Sequence, residues 1–138
     1  MKSSGYSCTP LAKKLGIKNE FIVRFINEPD YYFDLFEDFP LGVVIAKDKK
    51  EEKDFIHYFE KNAAAFKKKL PILREEIKQH GMIWISWPKK SSKVETDITE
   101  DTIRDYALTI GLVDIKVCAV DEIWSGLKLV IPVKDRIH

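Results

Sequence analysis

The sequence predicts a single α/β domain, in which a mostly parallel sheet lies between layers of helices in a three-layer, Rossmann-like arrangement. Three observations carry this prediction. Apolar strand-like segments alternate with helical segments along the chain. The segment EFIVRFIN (residues 20–27) has apolar side chains on both faces, as strands of parallel sheets do. The last two strands are joined only by residues 121–123, which is too short for a crossover and therefore predicts an antiparallel hairpin at the sheet edge.

The N-terminal residues 1–18 are expected to form a helical arm that precedes a core domain of residues 19–138. Thr9 is a suitable N-cap, Pro10 suits the first helical position and Gly16 follows the end of this helix. In the core, turn signals and apolar periodicity divide the chain into alternating elements. Strands are predicted at residues 20–27, 41–46, 54–59, 82–87, 113–120 and 124–132, and helices at 30–38, 62–79 and 99–110.

Two of these helices have distinctive signals. The helix over residues 62–79 is expected to break at Pro71, which lacks an N–H donor, and to end at Gly81, with His80 in its last turn. The next helix is expected to begin at Thr99 as N-cap, with Ile98 packed on Ile103 as a hydrophobic staple. Gly111 marks its end.

Composition limits the classes of function. The 138 residues carry 23 Lys and Arg against 22 Asp and Glu, so a net charge of +1 gives no long-range attraction for a nucleic acid. No apolar run approaches the ~18 residues of a membrane span. Cys8 and Cys118 lie far apart with no CxxC pair, and no leader-like segment opens the sequence. The expectation is a soluble cytoplasmic protein with no nucleic-acid or membrane partner.

The layout of residues 54–132 resembles the second half of the class I S-adenosylmethionine-dependent methyltransferase fold: helix, strand ending in an aromatic residue and Pro, helix, then hairpin. A second resemblance covers most of the chain. The segments TPL (9–11), KLGI (14–17), WISWPKKSS (84–92), TDITED (96–101) and GLVDIKVCAVDEIWSGLKL (111–129), with GYS (5–7), are similar to a bacterial family known as domain of unknown function 3052. That resemblance implies no activity.

A candidate ligand site lies where the parallel strands end, because ligands of open α/β sheets bind beyond the carboxyl ends of the strands. Backbone N–H groups, a hydroxyl and two ammonium groups after the fourth strand could hold a phosphate or a carboxylate. The alternative is an ordinary solvated loop. The candidate ligand-binding residues are Asn27, Glu28, Trp87, Lys89, Lys90, Ser91 and Ser92.

Cofactor and metal sites are not predicted. A dinucleotide or S-adenosylmethionine site calls for glycines directly after the first strand, and the sequence there is Asn27-Glu28-Pro29-Asp30. His57 and His80 are expected to have structural roles, since neither has a second ligand at metal-site spacing. Cys118 and Trp84 are expected in the core, while Trp87 suits either the core or a pocket.

Three functions remain open. The first interpretation is a binding module for an unknown small molecule or protein, without catalytic turnover. The alternative is a divergent S-adenosylmethionine-dependent methyltransferase that uses the edge near Trp87. A third is a structural subunit that pairs through its hairpin.

Overall fold

A computed structural model describes residues 9–48 and 50–137. A six-stranded sheet in the order β2-β1-β3-β4-β6-β5 forms the centre of the protein. The strands are β1 (Ile22–Ile26), β2 (Val44–Ile45), β3 (Lys53–Phe59), β4 (Ile77–Pro88), β5 (Val113–Ala119) and β6 (Trp124–Val130), and the α-helices are α1 (Leu11–Leu15), α2 (Ala63–Arg74) and α3 (Glu100–Thr109).

The strand pairing confirms the predicted fold class. β1 runs parallel to β2 and β3, and β3 runs parallel to β4. β6 is antiparallel to both β4 and β5, so the C-terminal hairpin closes one side of the sheet. No helix among residues 9–48 and 50–137 has the length and apolar character needed to cross a membrane.

The central strand β3 is buried on both faces, whereas β1, for which the sequence predicted such burial, is fully buried only at Val23. On one face α2 and α3 pack over residues such as Ile56, Tyr58 and Ile83. On the other face, α1 and a short 3₁₀ segment (Tyr32–Leu35) cover Val23, Phe55 and neighbouring rings. Alternate residues of β3 therefore enter two separate cores.

Helix α1 is anchored to the sheet by a tryptophan. Trp84, fully buried in β4, donates a hydrogen bond from its ring Nε1 to the carbonyl oxygen of Leu15 at 2.7 Å. Gly16 follows the end of α1, as predicted, and adopts the left-handed conformation. The predicted N-cap was wrong by one residue: α1 begins at Leu11, and Pro10 occupies the N-cap position without a side-chain bond.

The predicted break at Pro71 was also wrong, because α2 continues through it. A proline cannot donate to the carbonyl one turn before it, here that of Lys67. The phenol of Tyr106 on α3 donates to this carbonyl oxygen at 2.9 Å. The lost helical hydrogen bond is thus replaced by one from the neighbouring helix.

The segment after α2 is a strand where the sequence predicted helix. β4 begins at Ile77, so Gln79 and His80 are strand residues and Gly81 does not end a helix. Between the pairs Lys53–Ile77 and Phe55–Met82, β3 advances two residues while β4 advances five, which bulges β4 outward. A Cβ atom at Gly81 would lie 2.8 Å from the carbonyl oxygen of Lys53, so this close approach is what demands glycine.

The remaining differences concern element length. The predicted helix over residues 30–38 is the 3₁₀ segment Tyr32–Leu35, and the predicted strand over 41–46 is reduced to β2. α3 begins as predicted: the side chains of Thr99 and Thr102 form a reciprocal capping box. Ile98 and Ile103 both lie in the core beneath it.

Candidate functional site at the carboxyl edge of the sheet

The strand order reverses at the end of β1. β2 lies on one side of β1 and β3 on the other, and this is where open α/β sheets bind ligands. Asn27, the residue directly after β1, has a φ of 59°, in the left-handed region that favours glycine and that Asn tolerates. Its side-chain Nδ2 donates to the carbonyl oxygen of Phe59 at 3.1 Å. Asn27 therefore bridges the two strands at the reversal.

Two clefts meet at Asn27. The first, which we call the β1–β2 cleft, has a volume of about 430 Å³, and its lining includes Phe25, Asn27, Glu28, Phe33, Ala46 and Lys47. The second, which we call the α2 cleft, has a volume of about 330 Å³, and its lining includes Ile26, Asn27, Tyr58, Lys68, Lys69 and Ile72. Both volumes fall in the lower part of the range of small-molecule sites.

Glu28 is the uncommitted acidic group of the β1–β2 cleft. It is half-buried and forms no hydrogen bond or ion pair within residues 9–48 and 50–137. Burial, and then the charge of Glu28, raise the pKa of Tyr32 well above its usual range. Phe33, 44% exposed, offers a ring at the same cleft. A carboxylate and an aromatic ring can together hold a polar, partly aromatic ligand.

By contrast, the carboxylate of Glu60, directly after β3, accepts hydrogen bonds that hold the local structure. Its Oε2 accepts from the backbone N–H groups of Lys61 at 3.0 Å and Asn62 at 3.1 Å, just before α2. Its Oε1 accepts from the phenol of Tyr58 at 2.6 Å. These bonds hold the start of α2 and leave Glu60 poorly placed to act as a base.

Asp121 in the β5–β6 turn is committed in the same way. Its Oδ1 accepts from the backbone of Ile123 at 2.8 Å and Trp124 at 2.7 Å. Its Oδ2 accepts from the phenol of Tyr31 at 2.7 Å. Burial and then this hydrogen bond raise the pKa of Tyr31 to about 12. The bond ties the loop after β1 to the hairpin turn across the edge.

The loop after β4, where the sequence predicted an anion site, is closed by its own contacts. The backbone N–H of Lys89 donates to the carbonyl oxygen of Ile123 at 2.8 Å. The hydroxyl of Ser92 donates to the carbonyl oxygen of Lys89 at 2.6 Å. Lys90 and Ser91 are exposed, whereas Trp87 is buried in the core under α2 and α3.

The structure brings the predicted residues to one edge but not into one pocket. Asn27 and Glu28 follow β1, Lys89 to Ser92 follow β4, and β3 runs between them. Two strand spacings amount to about 10 Å. Neither the β1–β2 cleft nor the α2 cleft is lined by the loop after β4. Joint ligand binding by the two groups stays a prediction.

A buried hydrogen-bonded chain behind this edge was missed at the sequence level. The hydroxyl of Tyr32 lies 2.8 Å from His57 Nδ1, and Ser86 Oγ lies 2.8 Å from His57 Nε2, all three residues being fully buried. Burial lowers the pKa of His57 from 6.5 to about 3, so the ring is neutral. The available signal was the alternation Phe55-Ile56-His57, which points the histidine into a core.

Metal and thiol chemistry gain no support from the described residues. Within them, no group of three or more His, Cys, Asp or Glu side chains is arranged to hold a metal ion. Cys118 is a half-buried thiol whose pKa is raised by burial. Cys8 lies outside the described residues.

Comparison with known proteins identifies the fold. No protein-family model and no curated protein matches the chain. Among solved structures, a putative type 11 methyltransferase from Sulfolobus solfataricus is similar with a TM-score of 0.64 and 14% identity, over 93% of each chain. Magnesium protoporphyrin IX methyltransferase (ChlM) from Synechocystis PCC 6803, with bound SAM, is similar with a TM-score of 0.58 and 8% identity. The match covers 88% of this chain and 74% of that one.

A third structure, LepI in complex with SAM, gives a TM-score of 0.55 at 10% identity. It matches 90% of this chain, which spans about half of LepI, 47% of its length. At these identities the likeness concerns the fold alone. The protein has a methyltransferase-like Rossmann fold.

Proposed function

We propose that this protein is a divergent S-adenosylmethionine-dependent methyltransferase that holds the methyl donor in the β1–β2 cleft. The observation that carries the proposal is the left-handed backbone of Asn27 beside a cleft of about 430 Å³. A glycine is favoured after β1 because it adopts this conformation without strain. Asn27 supplies the same conformation, which removes part of the sequence-based objection to a cofactor.

The residues of the cleft suit the chemical groups of the donor. The carboxylate of Glu28 can accept hydrogen bonds from ribose hydroxyls or from the ammonium group, and the ring of Phe33 can stack on adenine. When bound, S-adenosylmethionine supplies an electrophilic methyl group on a sulfonium centre. The protein's residues need only bind and orient the methyl donor, and neither task requires a side chain that gains or loses a proton.

A second candidate is a ligand-binding protein without turnover, the first interpretation from the sequence. The carboxylates nearest the ends of the central strands are those of Glu60 and Asp121. Both already accept hydrogen bonds that hold the local structure. The residue that lines the cleft after β2 is the basic Lys47, whereas an acidic residue would be needed there to bind ribose hydroxyls. These observations suit a protein that binds a ligand without acting on it, and a turnover assay separates the two candidates.

The third interpretation, pairing through the hairpin, is opposed by the edge strand. β5 has an irregular register between Asp114 and Lys116. A bulge and a lysine on an edge strand both discourage pairing with another strand. Membership of family 3052, a bacterial source and a cytoplasmic location stay predictions from the sequence.

Binding is tested by thermal unfolding with S-adenosylmethionine. Ligand at about a hundred times its dissociation constant stabilises the fold by roughly 2.7 kcal/mol, or several degrees in Tm for a domain of this size. We expect a saturable rise in the wild type that is greatly reduced in Glu28→Gln. Glu37→Gln, an exposed carboxylate on the same connection, is the matched control. No rise, or equal rises in both variants, would reject the proposed site.

Turnover is tested separately by incubating the protein with labelled S-adenosylmethionine and fractionated cell metabolites. A methyltransferase releases S-adenosylhomocysteine in proportion to the amount of protein, and Glu28→Gln lowers that rate. Binding without any such release would instead establish the second candidate.

A further inference from the structure

The sheet is unevenly covered on the face that α2 and α3 occupy. Between β1 and β3 the chain forms only β2 and the 3₁₀ segment Tyr32–Leu35. Leu35 of that segment packs with Val23 and Phe55 on the opposite face. The face of β1 that carries Ile26 therefore has no helix of its own, and the α2 cleft opens there.

One side of α2 faces this opening. Ala65, Lys68, Lys69 and Ile72 all line the α2 cleft, and their spacing of i, i+3, i+4 and i+7 places them on one stripe of the helix. A different stripe, which contains Phe66 and Leu70, enters the core. Two of the three consecutive lysines of α2, Lys68 and Lys69, therefore border a cavity.

The two lysines of the cleft are not paired with any carboxylate of the described residues. Within residues 9–48 and 50–137, neither Lys68 nor Lys69 forms a hydrogen bond or an ion pair. Glu60 also lines the cleft, but its two oxygens already accept three hydrogen bonds. Two ammonium groups one residue apart repel each other, and a bound anion would relieve that repulsion.

The rest of the cleft is largely apolar. Ile26 and Ile72 supply aliphatic surface, and the ring of Tyr58 lies beside them, with its hydroxyl directed to Glu60. Asn27 also lines the cleft. A ligand that satisfies both parts carries an anionic group for the lysines and a compact apolar body for the floor.

We propose that the α2 cleft is a binding site for a small organic anion, in which Lys68 and Lys69 hold a phosphate or carboxylate while Ile26, Ile72 and Tyr58 receive an aryl or short alkyl body. The site lies next to the β1–β2 cleft, with which it shares Ile26 and Asn27, but it does not depend on methyl transfer. Its volume of about 330 Å³ suits a ligand the size of a substituted benzene ring.

The experiment is a titration of isotope-labelled protein with phenyl phosphate, followed by amide chemical shifts. We expect saturable shifts at Ile26, Lys68 and Lys69. The double variant Lys68→Gln/Lys69→Gln should bind at least about tenfold more weakly, since charge-assisted bonds are lost. Gln has nearly the helix propensity of Lys, so α2 should persist, which circular dichroism checks.

The matched control is Lys90→Gln/Lys93→Gln, two exposed lysines in the loop after β4. It should bind phenyl phosphate as the wild type does. A loss of binding in the control but not in Lys68→Gln/Lys69→Gln would assign the anion to the other loop and overturn the proposal. So would the absence of saturable shifts in the wild type.

Three further ligands divide the interaction into its parts. Benzyl alcohol lacks the charge and inorganic phosphate lacks the apolar body, so each should bind more weakly than phenyl phosphate. If either binds as tightly, the two-part site is wrong. Benzoate decides between sources of the anion: tighter binding of benzoate identifies a carboxylate ligand, and weaker binding identifies a phosphate.

Discussion

The hydroxyl of Tyr106 on α3 lies 2.9 Å from the carbonyl oxygen of Lys67 on α2, the one that Pro71 leaves without a helical donor. A hydrogen bond from one helix therefore repairs a defect in another. Replacing Tyr106 by Phe removes the donor while keeping the ring that packs edge-on against Phe66. We expect a loss of about 1 kcal/mol in the free energy of unfolding, measured by urea denaturation.

A double-mutant cycle with Pro71→Ala tests the reason for that loss. Alanine restores the backbone N–H, so the carbonyl of Lys67 regains its helical partner. In the Pro71→Ala background, Tyr106→Phe should cost much less than in the wild type. Equal costs in both backgrounds would show that the hydroxyl matters for another reason.

Glu76 lies at the opposite end of the sheet and forms ion pairs with two cationic side chains. Its Oε1 lies 2.9 Å from the ammonium of Lys53, which is fully buried, and 2.6 Å from Arg24. Glu76→Gln leaves the charge of Lys53 buried without its counter-ion, so we expect a loss of about 3–5 kcal/mol at pH 7. Glu75→Gln, an exposed neighbour, should change little, and urea denaturation measures both.

The ion pairs of Glu76 also make the stability of the protein depend on pH. Burial alone would raise the pKa of Glu76, but hydrogen bonds from Arg24 and Lys53 outweigh it and hold the pKa below the ordinary 4.5. A depressed carboxyl pKa contributes stability above 4.5 that is lost as pH falls through the folded value. The stability gap between wild type and Glu76→Gln should therefore narrow below pH 4.5, and a constant gap would contradict this.

His57 produces a second pH dependence at higher pH. Its folded pKa of about 3 lies below the ordinary 6.5, so between those values the unfolded chain binds a proton that the folded one does not. Its contribution is complete above 6.5 and falls by about 1.4 kcal/mol per pH unit below it. His57→Phe should be less stable at pH 7, because Tyr32 and Ser86 lose their partner, and should show a shallower decline from pH 6 to 4 in urea denaturation.

Local patterns predicted the fold well and the site only in part. Strand alternation, the capping signals at Thr99 and the short hairpin connection act over a few residues, so they can be found in the sequence. The continuity of α2 depends on Tyr106, 39 residues away along the chain from the carbonyl it satisfies. The role of Gly81 likewise depends on the backbone of Lys53 in a neighbouring strand. Such distant partners leave no local pattern.

The candidate site was likewise predictable only where local sequence determines it. The alternation of strands and helices was enough to place Asn27 and Glu28 at the carboxyl edge of the sheet. The commitment of Glu60 and Asp121 to structural bonds, and the turning of Lys68 and Lys69 toward a cleft, follow from how separate elements pack. Neither could be deduced from residue type or spacing.

The last prediction concerns Asn27→Gly. Glycine adopts a φ of 59° with no steric cost, so the backbone after β1 should keep its course. The substitution removes the hydrogen bond to Phe59 and with it a side chain that lines the β1–β2 cleft. We expect the rise in Tm on adding S-adenosylmethionine to be larger than in the wild type, because the backbone can approach the ligand more closely. The free protein should lose no more than about 1 kcal/mol, the value of one hydrogen bond.

Asn27→Val is the contrasting variant. A β-branched residue is strained in the left-handed conformation, so the loop must shift or the protein must lose stability. Its response to S-adenosylmethionine should fall below that of the wild type. If all three proteins show the same ligand-induced rise in Tm, the donor does not bind beside Asn27, and the proposed site is wrong even though the fold is methyltransferase-like.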